Sequence, residues 1–128
     1  MEKHILIILA NAKEGQEDEL NRWYDERHLD DILGLGAFSS AQRFEFDDTY
    51  DLGPVSPHKY LAIYEVPEGK LEEAYQALLF TGTERAEALA AGREPRVPDS
   101  DALADGPFVR FYTTITERRE PKTSHDEA

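Results

Sequence analysis

The order of elements legible in these 128 residues predicts an α+β fold, βαββαβ, with four antiparallel strands in one sheet and two helices on one of its faces. Three observations predict it. Ile5 to Leu9 is an almost unbroken aliphatic run, too short for a helix and suited to a strand buried on both faces. Two stretches carry apolar residues at helical spacing, one from Glu17 to Leu33 and one from Pro67 to Phe80. Three more runs, 38–46, 60–66 and 108–116, read as strands, aromatic or β-branched residues alternating along them.

Each element follows from its residues. The start of the chain has one lysine before the short apolar run and no small-residue cleavage pattern after it, so it reads as a first strand and not as a signal peptide. Gly15 breaks the chain, and Glu17, Asp18 and Glu19 put negative charge in the first turn of a helix, where its dipole favours it. Leu20, Tyr24 and His28 form one row at i, i+4 and i+8; Ile32 and Leu33 continue the apolar side, and Gly34 and Gly36 end it. In the second strand Phe38, Ser40, Gln42, Phe44 and Phe46 share one face, and Ser39, Ala41, Arg43 and Glu45 the other. Residues 47–57 are a polar loop with two prolines.

In the third strand Leu61 and Ile63 oppose Tyr60, Ala62 and Tyr64. The second helix has a stripe of Leu71, Ala74, Tyr75, Leu78 and Leu79. Thr81 followed by Glu84 suggests a capping box for a separate short helix near Arg85 to Ala91. Residues 92–106 read as an extended loop. In the last strand Val109, Phe111 and Ile115 oppose Phe108, Arg110, Tyr112 and Thr114. The expected domain spans 1–118, followed by a disordered, charged tail over 119–128.

Bulk properties exclude several classes. A net charge of −13 argues against nucleic acid, which needs clustered Lys and Arg, and against an anionic membrane surface. No run approaches the roughly 20 apolar residues of a membrane span. With no cysteine there are no disulfides, thiolate chemistry or cysteine-held metals, and a cytoplasmic protein is the default expectation.

On the sheet, Leu61, Ile63, Val109, Phe111 and Ile115 are expected to face the helices. That leaves Tyr60, Tyr64, Phe108, Arg110 and Tyr112 on the opposite face, too aromatic a surface to leave in water. The answer the sequence suggests is a second copy of the sheet, hence a homodimer enclosing a tyrosine-lined space.

The segment N-A-K-E-G-Q-E-D-E-L-N-R-W-Y-D-E-R-H-L-D-D-I-L at 11–33, followed by G-A-F-S-S-A-Q-R-F at 36–44, resembles the dimeric α+β barrel superfamily, whose fold is ferredoxin-like. The resemblance is strongest to its EthD-like and methylmuconolactone-isomerase-like branches. In pattern it covers about residues 4–118, while specific matching is confined to 11–46. It implies a face-to-face homodimer and a small-molecule site. Members include cofactor-free monooxygenases, lactone isomerases, polyketide cyclases, haem enzymes and proteins of no known activity. In the isomerase-like members a histidine after an aromatic pair on the first helix is a proposed acid or base, a role that maps onto His28.

His28 is the sharpest candidate, because an imidazole exchanges protons near neutral pH. Asp25 and Asp31, three residues to either side, are within helical reach and could fix its tautomer and favour its charged form. The bland alternative is a histidine that caps or packs the helix end. Trp23 and Tyr24 form an aromatic wall or a core stripe. Tyr64 and Tyr112 are candidate hydrogen-bond donors to a substrate carbonyl, or interface residues. Arg43 and Arg110, inside strands, suit either a substrate anion or one of the 27 acidic side chains. His4, His58 and His125 are scattered, so no metal site built by one chain is expected, and no cofactor. The glycine pair at 34 and 36 lacks the rest of a phosphate loop.

The leading expectation is a cofactor-free enzyme of isomerase, lyase, cyclase or monooxygenase type. It would act by acid/base chemistry on an aromatic-derived, lactone or polyketide-like molecule. Catalysis would rest on His28, Tyr24 and Asp25, and binding on Trp23, Tyr64, Arg110, Tyr112 and Arg43. The alternative is a dimeric binding or accessory protein in which His28 is structural.

Overall fold

A computed structural model describes residues 3–122. The strands are β1 (His4–Ala10), β2 (Ser40–Glu45), β3 (Tyr60–Val66) and β4 (Phe108–Thr113). They form one sheet in the order β2-β3-β1-β4, antiparallel throughout. The first helical region is α1 (Glu17–Trp23), a π-helical segment (Tyr24–His28) and α2 (Leu29–Leu33) in direct succession. The second is α3 (Leu71–Ala91). This is the expected βαββαβ, ferredoxin-like α+β fold.

The pairing register fixes which residues share a face. Leu6 stands opposite both Tyr64 and Phe111, and Ile8 opposite both Ala62 and Val109. Ala41 pairs with Tyr64 and Arg43 with Ala62. These residues face the helices, with Leu6, Ala62 and Tyr64 buried together with Ile32, Phe38 and Ala74. The opposite face carries Ile5, Ile7, Leu9, Phe44, Leu61, Ile63, Phe108, Arg110 and Tyr112.

The expected faces of β3 are therefore inverted. Tyr60 and Tyr64 are buried under the helices, and Leu61 and Ile63 lie on the open face. Both rows of β3 are apolar enough to be buried, so alternation does not choose between them. The expected faces of β4 hold for Val109 and Phe111. Ile115 lies beyond the strand and is 97% exposed, so it is not a helix-facing residue.

The separate short helix expected after Thr81 is absent. One helix of 21 residues runs from Leu71 to Ala91. The Thr81 hydroxyl donates to the Leu78 carbonyl, a bond made inside a helix rather than at a cap. Its buried stripe is also rotated: Ala74 and Ala88 are buried while Tyr75 and Leu79 are about half exposed. Ala74 packs in the core with Leu6, Ala62 and Tyr64. Gly92, at φ +70, ends it in the left-handed conformation, with the Arg93 amide bonded back to the Ala88 carbonyl.

Residues 92–107 close over the end of the sheet beside the first helix. The Lys13 amide donates to Ala102 and the Ala104 amide to Asn11. Val97 and Ala102 are buried beneath. Residues 119–122 form no helix or strand. The rest of the expected tail, with His125, lies outside the described residues. No helix among the described residues is long and apolar enough to cross a membrane.

Candidate functional site

The π-helical segment sets the geometry of the site. An α-helix of 3.6 residues per turn would place residues five apart about 140° apart around its axis. The wider i→i+5 turn, closed here by the Leu29 amide on the Tyr24 carbonyl, brings them to one side. Trp23 and His28 consequently stack, with ring centroids 4.1 Å apart and planes at 22°. Tyr24 meets both rings edge-on, at 4.8 Å from Trp23 and 5.1 Å from His28. Single π turns inside α-helices are frequent at functional sites.

Beneath this trio, on the sheet, sit Tyr64 and Arg43. Tyr64 is fully buried and packs against Phe38 at 5.5 Å. The Arg43 guanidinium lies 4.4 Å from the Tyr24 ring and 5.3 Å from that of Tyr60. Its two terminal nitrogens donate to Asp25 (3.0 Å) and to the Asn21 side chain (2.8 Å). Arg43 is therefore held by side chains of the protein, the salt bridge to Asp25 being one of the two readings its position allowed. Asp25 is engaged with it and does not orient His28. Asp31 accepts from Arg27 at 3.0 Å instead.

His28 is thus not the charged, carboxylate-clamped imidazole that its flanking aspartates suggested. Burial lowers its pKa from 6.5 to about 4; Asp31 and Asp99 oppose the shift and Arg85 adds to it. The ring is neutral at pH 7. Its Nδ1 is buried without a hydrogen-bond partner. So are the Trp23 indole nitrogen, the Tyr64 hydroxyl and the Nε of Arg85. Burial raises the pKa of both Tyr24 and Tyr64, so each keeps its proton.

Arg85 escaped the sequence reading, which placed it in a presumed short helix. On the continuous α3 it reaches the 92–107 segment, where it donates to the Val97 carbonyl at 2.9 Å. Arg110 and Tyr112 do not join the cluster. They lie on the open face of the sheet, both exposed, opposite in direction to Tyr24 and Tyr64. The single pocket expected from Tyr24, Tyr64, Arg110 and Tyr112 is not formed.

Several cavities lie around the described residues, one of them of about 310 Å³ within the loop 46–55. One of about 450 Å³ runs between α3 and the Leu35–Ala37 turn, with Phe80 and Arg96. One of about 380 Å³ is lined by Asn21, Asp25, Arg43 and Tyr60. One of about 220 Å³ lies on the open sheet face at Ile5, Phe44 and Ile63. None has Trp23, His28 or Tyr64 in its wall. Among the described residues no group of three or more metal-ligating side chains could hold an ion.

Solved structures share this fold. An EthD-like protein from Ralstonia eutropha JMP134 superposes with a TM-score of 0.54 at 14% identity, covering 92% of this chain and 97% of its own. A protein of unknown function from Nitrosomonas europaea gives 0.56 at 15%, covering 95% and 98%. A MhuD variant with two manganese protoporphyrin IX groups bound per active site gives 0.56 at 14%, covering 91% and 99%. No family model matches the chain, and no curated protein matches its sequence. The chain shares with these structures its fold, the ferredoxin-like arrangement described above.

Proposed function

We propose that this protein is a small cofactor-independent enzyme that works as a homodimer and uses His28 as its proton-transfer group. The observation that carries this reading is the set of buried polar atoms with no partner around the π turn: Trp23 Nε1, His28 Nδ1 and the Tyr64 hydroxyl. An unsatisfied buried polar group costs about 1–3 kcal/mol, so three together need an occupant. A neutral imidazole can accept a proton, and protonated Tyr24 and Tyr64 can donate hydrogen bonds to a carbonyl or enolate oxygen. That combination suits isomerisation, elimination, cyclisation or cofactor-free oxygenation of an aromatic-derived, lactone or polyketide-like compound.

The dimer rests on the open sheet face. Ile5, Ile7, Leu9, Leu61 and Ile63 form an apolar band that water would cover in a monomer. Arg110 and Tyr112 belong to that interface in this reading, and Arg43 and Asp25 support the Tyr24 ring. A binding or accessory protein remains the second reading, favoured by one observation: none of the cavities described above touches His28.

The test is a turnover screen with lactone, quinol and polyketide-type compounds, followed by His28→Ala on any activity found. Loss of about 10²- to 10⁴-fold, with fold and oligomer intact, supports catalysis by His28. Undiminished turnover in the variant transfers the site to the binding reading.

A further inference from the structure

The open face of the sheet carries two charges within its strands, of opposite sign: Arg110 on β4 and Glu65 on β3. Both are exposed. Arg110 stands in the row of Ile7 and Ile63, and Glu65 in the row of Ile5 and Tyr112. β1 lies between their strands, so their Cα atoms are about 12 Å apart by strand spacing. They form no ion pair with each other, and neither has another charged partner among the described residues. Arg110 donates from one terminal nitrogen to the Val109 carbonyl beside it, and its guanidinium lies 5.7 Å from the Phe108 ring. The Glu65 carboxylate accepts from the Ser40 hydroxyl.

Beside Glu65 the face is hollow. The cavity of about 220 Å³ is walled by Ile5, Gln42, Phe44 and Ile63, with Ser40 and Glu65 as its polar end. That is a socket for a long side chain with an apolar stem and a cationic head.

A two-fold dimer brings these features together. In such a contact the same patch serves both copies, so each pairing occurs twice. An axis lying between two facing sheets, at right angles to the line from Arg110 to Glu65, lays each residue over its counterpart in the other copy. The midpoint of that line falls on β1, between Ile5 and Ile7. Aliphatic side chains then occupy the centre of the contact and the charges flank it, as in other protein interfaces.

We infer that a second copy is held on this face by two equal ion pairs, Arg110 of each subunit entering the hollow beside Glu65 of the other. The inference rests on the homodimer proposed above and names what fixes its geometry. A face of isoleucine and leucine fixes no register by itself. A charge set against aliphatic side chains is costly unless it meets its opposite, so the pair selects one arrangement and rejects the rest.

Arg110→Glu, Glu65→Arg and the variant carrying both test it, each followed by light scattering across concentration, with circular dichroism as the check on folding. Either single reversal sets like charges against each other at both contacts and should weaken the dimer about tenfold or more. The double variant should recover to within about threefold of the wild type. Mixing the two single variants is the sharper arm. In their heterodimer both contacts again join a glutamate to an arginine, so an equal mixture should dimerise at concentrations where neither variant does so by itself. Rescue in the double variant without rescue on mixing would place the interaction within one chain and overturn the inference. A dimer indifferent to both reversals would overturn it too, while leaving the homodimer standing. A wild type that is monomeric at micromolar concentration overturns both. Should a reversal not fold, Arg110→Gln and Glu65→Gln replace it: each should weaken the dimer, and the two losses should fall short of adding.

Discussion

Trp23 and His28 stack at 4.1 Å although five residues separate them in a helix. The contact exists because one π turn replaces an α turn between Tyr24 and His28. It shields one face of the imidazole, and Tyr24 closes its edge. The low pKa of His28 and its unpartnered Nδ1 both follow from this enclosure.

The first prediction concerns that titration. The His28 ring should ionise near pH 4, well below the ordinary 6.5, as read from its proton resonances or from Trp23 quenching by the imidazolium. A midpoint at 6 or above would mean the ring is open to water.

Linkage gives the second. The folded His28 binds its proton less readily than the unfolded chain does, so between about pH 6.5 and 4 unfolding takes up a proton. Its contribution to stability is full above 6.5 and lost as pH falls toward 4. Denaturant melts across this window should be steeper in pH for the wild type than for His28→Gln. Parallel profiles would remove the buried imidazole from the account.

Deleting Glu26, which is exposed within the π segment, should restore a plain α-helix in which Trp23 and His28, then four residues apart, keep one face. The expected signature is a His28 pKa that stays well below 6.5 in a protein that keeps its helical content. A pKa returning toward 6.5 would show that the enclosure needs the wider turn.

The Tyr64 hydroxyl is buried without a partner, so Tyr64→Phe should leave the ligand-free protein as stable as the wild type or more stable by about 1 kcal/mol. Urea midpoints measure this. A loss of more than about 1 kcal/mol would mean that the hydroxyl is already bonded, to water or to a group around it.

Placing a charge in the apolar band of the open face, Ile63→Asp, should convert the proposed homodimer to a monomer by light scattering. A wild type that is monomeric at micromolar concentration would end the face-to-face proposal outright.

The sequence by itself determined the order of elements, because periods of 2 and 3.6 and the glycines at 34 and 36 are local signals. It also located the aromatic–histidine helix. Three things only the tertiary structure decided. The face of β3 was undetermined locally, since Tyr60, Ala62 and Tyr64 are as buriable as Leu61 and Ile63; pairing with Leu6 and Ala41 settled it. The continuity of α3 through Gly82 showed only in the structure, with Ala74 and Ala88 buried along it, and with it came Arg85. The state of His28 depended on neighbours far along the chain. Its flanking aspartates suggested a charged ring, but Asp25 was drawn to Arg43 on β2 and Asp31 to Arg27. Burial then outweighed the charges that remained, and the imidazole was left neutral beside Trp23.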